Sequence, residues 1–387
     1  MESQPILLVS VPPETEASLG AALGRPQAVH AVVDVAAARA ALANGKPAVA
    51  VIGLAQPGSD ALELVRELAA RGVAVVALAA HKDPDLILAA MRAGAREFLV
   101  SGEERQLERA VQGLLEASGA VRLGSITAVV PAKGGMGATV VATHLGGALH
   151  RAGKRVCLVD LDLELGDVLT FLDLAGSYTL ADVAANMRRL DQDLLDSSIP
   201  RHKSGLWVLS QVEKLTESDR VGPETVVQVL RFLRHHHDHL VLDGLRDFGD
   251  VALAALDVAD RILLVVTQEV PAVRNAQRKA ELARQLGFDS ARIALVVNRY
   301  QKSSPITRQV IEDTVKVPVV ATVANDFQSL SRAVNQGVLV WQESRRSPVA
   351  RDVEALAEHV AGARPRAAGS SFLKALLPSR VALHAAR

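Results

Sequence analysis

The sequence contains few of the residues on which several protein classes depend. Its 387 residues include a single cysteine, Cys157, so no disulfide can form within the chain and nothing points to an oxidising compartment. Aromatic residues make up only 3% of the chain, which argues against a stacking surface for single-stranded nucleic acid. No uninterrupted apolar run reaches transmembrane length. We therefore expect a cytoplasmic protein.

An excess of charge of one sign is also missing. The 43 basic residues balance the 43 acidic residues, and the formal net charge is zero. Because nucleic acid and anionic membranes are recruited by basic surfaces, any such contact has to be local. We therefore do not expect nucleic acid as a partner.

Short apolar runs alternate with helix-patterned segments along most of the chain, which is long enough for two domains. Strands that alternate with helices predict a doubly wound parallel sheet. We predict an α/β protein with two such domains, the first of them flavodoxin-like. The predicted strands of the first domain are residues 6–10, 28–34, 48–55, 73–80 and 97–100.

A glycine-rich turn opens the second domain. The apolar run 126–130 enters the turn Lys133-Gly-Gly-Met-Gly-Ala-Thr139, and a small, apolar, helix-compatible segment follows it. Glycines let the backbone approach phosphate oxygens closely, and a helix N-terminus adds partial positive charge. We therefore predict a nucleotide phosphate site formed by Gly134, Gly135, Met136, Gly137, Ala138, Thr139 and Val140. The usual phosphate loop ends in Gly-Lys-Ser/Thr, whereas here a lysine stands at the start.

Three aspartates end predicted strands of the second domain. Asp160 and Asp162 end the run 155–162, and Asp243 ends the run 239–244. Because the carboxyl ends of parallel strands share one edge, these carboxylates should lie beside the glycine-rich turn. There, one can hold Mg²⁺ and another can orient a water molecule, although each could instead simply cap the next helix. The remaining predicted strands are 206–210, 261–268, 291–300 and 317–323.

Residues 132–139 resemble the deviant Walker A motif of the ParA/MinD family of P-loop ATPases. The chain also resembles the TadZ/CpaE pilus-assembly proteins, which join an atypical receiver domain to such an ATPase domain. This resemblance implies ATP and Mg²⁺ as cofactors and an ATP-sandwich homodimer. The implied partners are Tad/Flp pilus or type II/IV secretion components such as the motor ATPase, at a cell pole or peripheral to the inner membrane. Further motifs that carry it are residues 159–167, 257–265, 271–276, 297–300, 325–326 and 331–337.

The same resemblance implies roles for individual residues. Lys133 would be the signature lysine that reaches the nucleotide of the partner subunit. Thr139 would coordinate Mg²⁺, with Asp160 and Asp243 supporting the metal site. Asp162 would orient the hydrolytic water.

The chain matches the family at the base-binding position and departs from it in the loop. Asn298 resembles the asparagine that recognises the base, but Ala138 replaces the phosphate-loop lysine and Val140 replaces the second hydroxyl residue. An ammonium group at the β- and γ-phosphates contributes strongly in most P-loop enzymes, so its loss should weaken ATP binding, slow hydrolysis, or both. We expect ATP-dependent dimerisation with very slow turnover, and the sequence leaves open whether ATP is hydrolysed.

The first domain resembles a receiver domain without its phosphotransfer chemistry. Pro57-Gly58 follows the third predicted strand, and residues 91–99 match the start of the receiver's fifth strand. The phosphoacceptor position holds Gly53, however, the hydroxyl position lies in Ala79-Ala80, and the lysine position is near Ser101. We therefore expect a docking or dimerisation module that is not phosphorylated.

The domain boundaries follow from composition. We predict a receiver-like domain at 1–116, a linker at 117–124, an ATPase domain at 125–362 and a basic flexible tail at 363–387. The basic tail is a candidate peripheral membrane contact or partner anchor. Because Pro378 shortens any helix there, we favour a flexible, partner-folded tail over a membrane helix. The histidines in residues 235–239 are interpreted as a solvated helix end and not as a metal site.

Three functions remain in competition. The leading hypothesis is an ATP-binding spatial organiser of a type IV (Tad/Flp) pilus or secretion apparatus. The second is a ParA-like partitioning ATPase with nucleotide-gated, non-specific DNA binding, which would require a basic surface. The third is a nucleotide-free scaffold.

Overall fold

The chain divides into two compact units, residues 1–122 and 123–387. The computed structural model describes residues 6–22, 29–43, 45–118, 123–176, 178–187, 189–190, 192–210 and 221–362. The predicted tail at 363–387 lies outside the described residues. All twelve predicted strands are confirmed, with ends that differ by no more than two residues.

The first unit contains a five-stranded parallel sheet in the order β2-β1-β3-β4-β5. Alternate residues of each strand enter apolar clusters on opposite faces, as the two-residue period of a strand requires. The strands are β1 (Ile6–Val9), β2 (Val29–Val32), β3 (Val49–Leu54), β4 (Ala74–Ala79) and β5 (Glu97–Val100). The helices are α1 (Pro13–Ala22), α2 (Val35–Ala41), α3 (Asp60–Ala70), α4 (Pro84–Ala93) and α5 (Glu104–Ser118).

Backbone fills the space beside Gly53 near the end of β3. A Cβ atom at Gly53 would lie 2.1 Å from the carbonyl oxygen of Ser10. Ser10 itself has φ +53°, and its hydroxyl donates to the carbonyl oxygen of Val33 at 3.0 Å. The β1–α1 turn therefore lies where a side chain at position 53 would have to stand.

The second unit contains a seven-stranded parallel sheet in the order β12-β11-β10-β6-β9-β7-β8. Its central strands are apolar and buried throughout because helices cover both faces of the sheet. The α/β class with parallel sheets is therefore confirmed. The strands are β6 (Ser125–Pro131), β7 (Val156–Asp160), β8 (Trp207–Leu209), β9 (His239–Asp243), β10 (Arg261–Val266), β11 (Ile293–Tyr300) and β12 (Val319–Ala324).

Proline or a capping side chain begins several helices of this unit. Pro223, Pro271 and Pro348 lie in the first turns of their helices. The helix that begins at Arg308 is capped by Thr307, whose side chain accepts from Val310 N–H. The helices are α6 (Ala138–Arg151), α7 (Val168–Phe171), α8 (Leu180–Asn186), α9 (Gln192–Ser198), α10 (Pro223–His236), α11 (Asp250–Val258), α12 (Val270–Gln285), α13 (Arg308–Val315), α14 (Phe327–Asn335), α15 (Val340–Glu343) and α16 (Pro348–Ala361). Within the described part of the chain, no helix has the length and apolar character needed to span a membrane.

The buried histidine His144 joins α6 to α15. Its Nε2 accepts a hydrogen bond from the backbone N–H of Val340 at 3.1 Å, so the proton lies on Nδ1, which donates to the carbonyl oxygen of Val140 at 2.8 Å. Trp341 packs edge-on against the imidazole ring, with 5.9 Å between ring centroids. Burial lowers the pKa of His144 to about 4, so this histidine is neutral at physiological pH.

Replacing His144 with leucine should destabilise the second unit. The substitution leaves Val340 N–H buried without its acceptor, a loss of about 1–3 kcal/mol in unfolding free energy. The pKa of His144 is lower in the folded state than in the unfolded state, so the wild type loses stability as pH falls from about 6.5 towards 4. The substitution should remove this part of the acid sensitivity. Urea unfolding at pH 7.5 and 5 measures both effects. His81→Leu, which replaces an exposed histidine, is the control. Equal unfolding free energies for wild type and His144→Leu would contradict this role.

The interpretation of residues 235–239 as a solvated helix end is wrong for two of its histidines. His237 and His239 are only 4% and 6% exposed. His237 packs edge-on against Trp207 of β8, with 5.6 Å between ring centroids, and burial lowers its pKa to about 4. The burial of His237 comes from tertiary packing, because Trp207 of the edge strand β8 covers the residue between α10 and β9.

Candidate functional site

The glycine-rich turn lies between β6 and α6, at the carboxyl edge of the central strand. Gly135 and Gly137 have φ of +81° and +80°, a backbone region that other residues rarely adopt. Gly137 is the residue immediately before the first turn of α6, whose unpaired backbone N–H groups face the turn. Lys133 is exposed, whereas Ala138 is buried at 7% exposure. The loop thus has the backbone geometry of an anion-binding site.

Residues at the end of β11 hold this loop in place. The side-chain amide of Asn298 donates to the carbonyl oxygen of Met136 at 2.8 Å. Arg299 donates from Nη2 to the carbonyl oxygen of Gly135 at 3.1 Å. A Cβ atom at Gly137 would lie 2.4 Å from Asn298 Nδ2, so only glycine leaves room for this contact.

The three predicted aspartates meet beside the loop. Asp160 and Asp243 are register partners at the ends of the neighbouring strands β7 and β9. Thr139, in the first turn of α6, hydrogen-bonds to the carboxylate of Asp243 through its side chain. Asp160 Oδ1 accepts from the backbone N–H of Asp162 at 3.0 Å, and Oδ2 accepts from that of Val168 at 3.3 Å. The structure therefore brings together Thr139 and all three carboxylates.

Burial and mutual repulsion perturb two of these carboxyl groups. Burial and the neighbouring Asp243 carboxylate raise the pKa of Asp160 to about 7. Burial also raises the pKa of Asp243 to about 6, against the opposing effect of the hydrogen bond from Thr139. Asp160 and Asp243 are neighbouring carboxyl groups that are shielded from water, so ionising both is unfavourable unless a cation binds beside them.

Two glycines make room for Asp160. A Cβ atom at Gly166 would lie 2.2 Å from Asp160 Oδ2. Gly244 has φ +82°, and a Cβ atom there would lie 2.2 Å from the backbone nitrogen of Asp162. The segments that follow β7 and β9 are thus packed backbone against backbone around one carboxylate.

The donor atoms at this edge fit a nucleotide and Mg²⁺. A hydroxyl and carboxylates are the hard oxygen ligands that Mg²⁺ prefers, and they are supplied by Thr139, Asp160 and Asp243. Within the described residues, no three His, Cys, Asp or Glu side chains are arranged to hold a metal ion. Mg²⁺ is generally held by one or two carboxylates together with phosphate oxygens. Asn298 Oδ1 is buried without a hydrogen-bond partner, which leaves an acceptor available beside the loop.

Comparison with known proteins agrees with this geometry. The family model for the CobQ/CobB/MinD/ParA nucleotide binding domain matches residues 127–340, more than half of the chain. The chain belongs to this nucleotide-binding family. The septum site-determining protein MinD of Thermotoga maritima is 27% identical over 249 residues, which are 62% of this chain and 89% of that protein.

Solved structures share the fold of the second unit. A ParA family ATPase from Chlorobium tepidum has a TM-score of 0.57 and 23% identity, covering 62% of this chain and 99% of that one. MinD from Pyrococcus horikoshii, solved as a complex with Mg-ADP, has a TM-score of 0.53 and 22% identity, covering 62% of this chain and 96% of that one. The prediction of a ParA/MinD P-loop domain is confirmed.

The glycine-rich turn carries a lysine at its start, Lys133, and none at its end. The buried methyl group of Ala138 stands where the usual phosphate loop has its lysine. Val140, in the first turn of α6, presents an apolar side chain. Lys133 is the lysine of this turn, and it is exposed to solvent.

Sequence reasoning missed four residues of the site. Arg246 forms an ion pair with Asp162 across two loops, and Arg299 binds the glycine-rich turn. Gly166 and Gly244 make room for the carboxylates. A glycine directly after Asp243 was a signal for Gly244, since a strand end that needs φ above zero favours glycine. Nothing local identifies Arg246, because its partner lies 84 positions earlier in the chain.

Proposed function

We propose that this chain is an ATP-binding spatial organiser that assembles a type IV (Tad/Flp) pilus or secretion apparatus through a nucleotide-dependent homodimer. The observation that carries the proposal is the contrast between exposed Lys133 and buried Ala138 in one phosphate loop. A lysine at the start of the loop suits the nucleotide of a second subunit, whereas its absence from position 138 removes a contact within the same subunit. Such a site holds nucleotide and hydrolyses it slowly.

The proposed ligand is ATP with Mg²⁺. The glycine-rich turn would bind the phosphates, and Thr139, Asp160 and Asp243 would hold the metal. Asn298 would recognise the base, because its buried Oδ1 is an acceptor without a partner and the adenine amino group is a donor. Asp162 would orient the attacking water.

Exposed apolar side chains at the same sheet edge support a second copy as the dimer partner. Leu165, Val270 and Phe327 follow β7, β10 and β12, and they are 69%, 62% and 73% exposed. Because all strands of the sheet are parallel, these residues lie at the edge that carries Lys133. Burial of large apolar side chains, with polar and charged groups towards the rim, is the usual anatomy of a stable interface.

The first unit is proposed to be a receiver-like docking module without phosphotransfer. Its strand order, β2-β1-β3-β4-β5, is a common doubly wound order. Gly53, which stands at the phosphoacceptor position in the receiver alignment, has the Ser10 carbonyl where a carboxylate would project. The pilus assignment rests on the combination of such a unit with a MinD/ParA domain.

Lys133→Ala tests the dimer. Because Lys133 is exposed, the variant should fold as the wild type does, while ATP-dependent dimerisation falls by at least about tenfold, as for loss of a charge-assisted phosphate contact. Calorimetry with ATP and Mg²⁺ measures binding, and sedimentation with and without ATP measures the dimer. Lys82→Ala, an exposed lysine of the first unit, is the control. Unchanged dimerisation in Lys133→Ala would exclude the proposed lysine role.

DNA retention with and without ATP, at two salt concentrations, separates the organiser from a partitioning ATPase. Strong retention that needs ATP and falls steeply with salt would favour partitioning. Absence of ATP binding in calorimetry would favour the nucleotide-free scaffold.

A further inference from the structure

Arg246 lies on the loop that follows β9, three residues after Asp243. The loop is packed against the segment after β7, because Gly244 leaves no room for a Cβ atom beside the backbone nitrogen of Asp162. From this loop, Arg246 Nη2 reaches Asp162 Oδ2 at 2.5 Å. The guanidinium of Arg246 is therefore placed at the carboxylate to which the proposed function assigns water orientation.

Both oxygens of Asp162 are engaged in this arrangement. Oδ1 accepts the backbone N–H of Leu165 at 3.1 Å, and Oδ2 faces Arg246. The contact at Oδ2 is an ion pair without aligned hydrogen-bond geometry. The Asp162 side chain is 12% exposed, whereas that of Arg246 is 59% exposed. The pair can therefore open by movement of the arginine alone.

The backbone of Arg246 is anchored from the opposite side. Lys279 of α12 donates from Nζ to the carbonyl oxygen of Arg246 at 2.8 Å and to that of Pro131 at 2.9 Å. Pro131 ends β6, the strand that leads into the phosphate loop. Lys279 thus ties the Arg246 loop to the phosphate loop, and the Arg246 side chain remains the movable part.

We infer that Arg246 is a positioning residue that restrains Asp162 and keeps ATP turnover slow. A carboxylate orients water by accepting a hydrogen bond from it, and a guanidinium at the same oxygen both occupies that position and weakens the acceptor. Arg246 also supplies positive charge to a cluster that includes Asp160 and Asp243. The turnover part of this inference rests on the proposed ATP site, whereas the charge part concerns the protein without nucleotide.

Two substitutions separate charge from shape. Arg246→Gln removes the charge, and Arg246→Lys keeps it. Because the contact is an ion pair without aligned hydrogen bonds, lysine should preserve the restraint and glutamine should release it. We expect Arg246→Gln to raise ATP turnover about two- to fivefold, the factor for opening a partly exposed ion pair, with ATP affinity changed by less than this. Arg246→Lys should hydrolyse ATP at the wild-type rate.

A second readout needs no ATP. Without Arg246 the three carboxylates lose a nearby cation, so millimolar Mg²⁺ should raise the melting temperature of nucleotide-free Arg246→Gln by about 2–4 °C more than that of the wild type. Arg246→Lys should match the wild type. Arg39→Gln, which removes an exposed arginine paired with Glu67 at 2.6 Å in the first unit, is the matched control and should show no added Mg²⁺ response.

Distinct outcomes overturn the inference or the proposed function. Weaker ATP binding in Arg246→Gln without faster turnover would assign Arg246 to phosphate binding and overturn the inference. An equal Mg²⁺ response in Arg246→Gln and wild type would overturn it as well. If no variant binds ATP while Arg246→Gln alone gains the Mg²⁺ response, the proposed function fails and the charge role of Arg246 stands.

Discussion

Gly137→Ala is expected to abolish measurable ATP binding while leaving the chain folded. The residue has φ +80°, which strains any side chain by about 1–2 kcal/mol. A Cβ atom would also lie 2.4 Å from Asn298 Nδ2, so Asn298 must move and lose its hydrogen bond to Met136. Strain and the lost buried hydrogen bond together correspond to about a hundredfold weaker binding of any ligand that needs this loop conformation.

Gly153→Ala is the matched control for this prediction. Gly153 has the same backbone strain at φ +81°, but it lies just after the other end of α6 and has nothing within 4 Å of a Cβ position. Both variants should lose thermal stability, Gly137→Ala more because it also displaces Asn298, and only Gly137→Ala should lose ATP affinity in calorimetry. Wild-type ATP affinity in Gly137→Ala would mean that this turn does not hold the phosphates.

Asp160→Asn is expected to stabilise the nucleotide-free protein at high pH. The folded-state pKa of Asp160, about 7, lies above the ordinary value, so the folded state binds more protons than the unfolded state between the two values. The contribution of Asp160 to the unfolding free energy of the wild type therefore falls as pH rises from about 4 to 7, and it is fully lost above pH 7. At pH 8 the variant should melt about 5 °C above wild type, an advantage that shrinks as pH approaches 5.

The same substitution should weaken Mg²⁺-dependent ATP binding, because an amide is a poorer ligand for Mg²⁺ than a carboxylate. Asp167→Asn, which changes an exposed carboxylate in the same loop, is the matched control. Buried histidines such as His144 make the wild type and the variants alike less stable as pH falls. Comparing each variant with wild type at the same pH cancels this contribution. A melting-temperature difference for Asp160→Asn that is identical at pH 5 and 8 would refute the raised pKa.

Local pattern predicted the sheets well. Runs of apolar residues at strand length were sufficient to place all twelve strands, because strands buried on both faces have to be continuously apolar. Local pattern is less informative about helix starts, since Thr307 caps the helix that begins three residues after Pro305. Proline permits a helix to begin but does not specify where it does so.

Contacts between distant segments explain what local pattern did not predict. His237 looked like a solvated residue because its neighbours are polar, yet β8 covers it with Trp207. Arg246 has no local signal of its partner, and the packing of Gly244 against the Asp162 segment places it beside that carboxylate.

The sequence by itself determined the α/β class, the phosphate loop and the strand ends that carry Asp160, Asp162 and Asp243, because each depends on residue type and short spacing. Only the tertiary structure decided that Asp160 and Asp243 are register partners, that Asn298 holds the loop, and that Arg246 faces Asp162. The physical reason is that these contacts depend on strand order and loop packing, which no short stretch of sequence encodes.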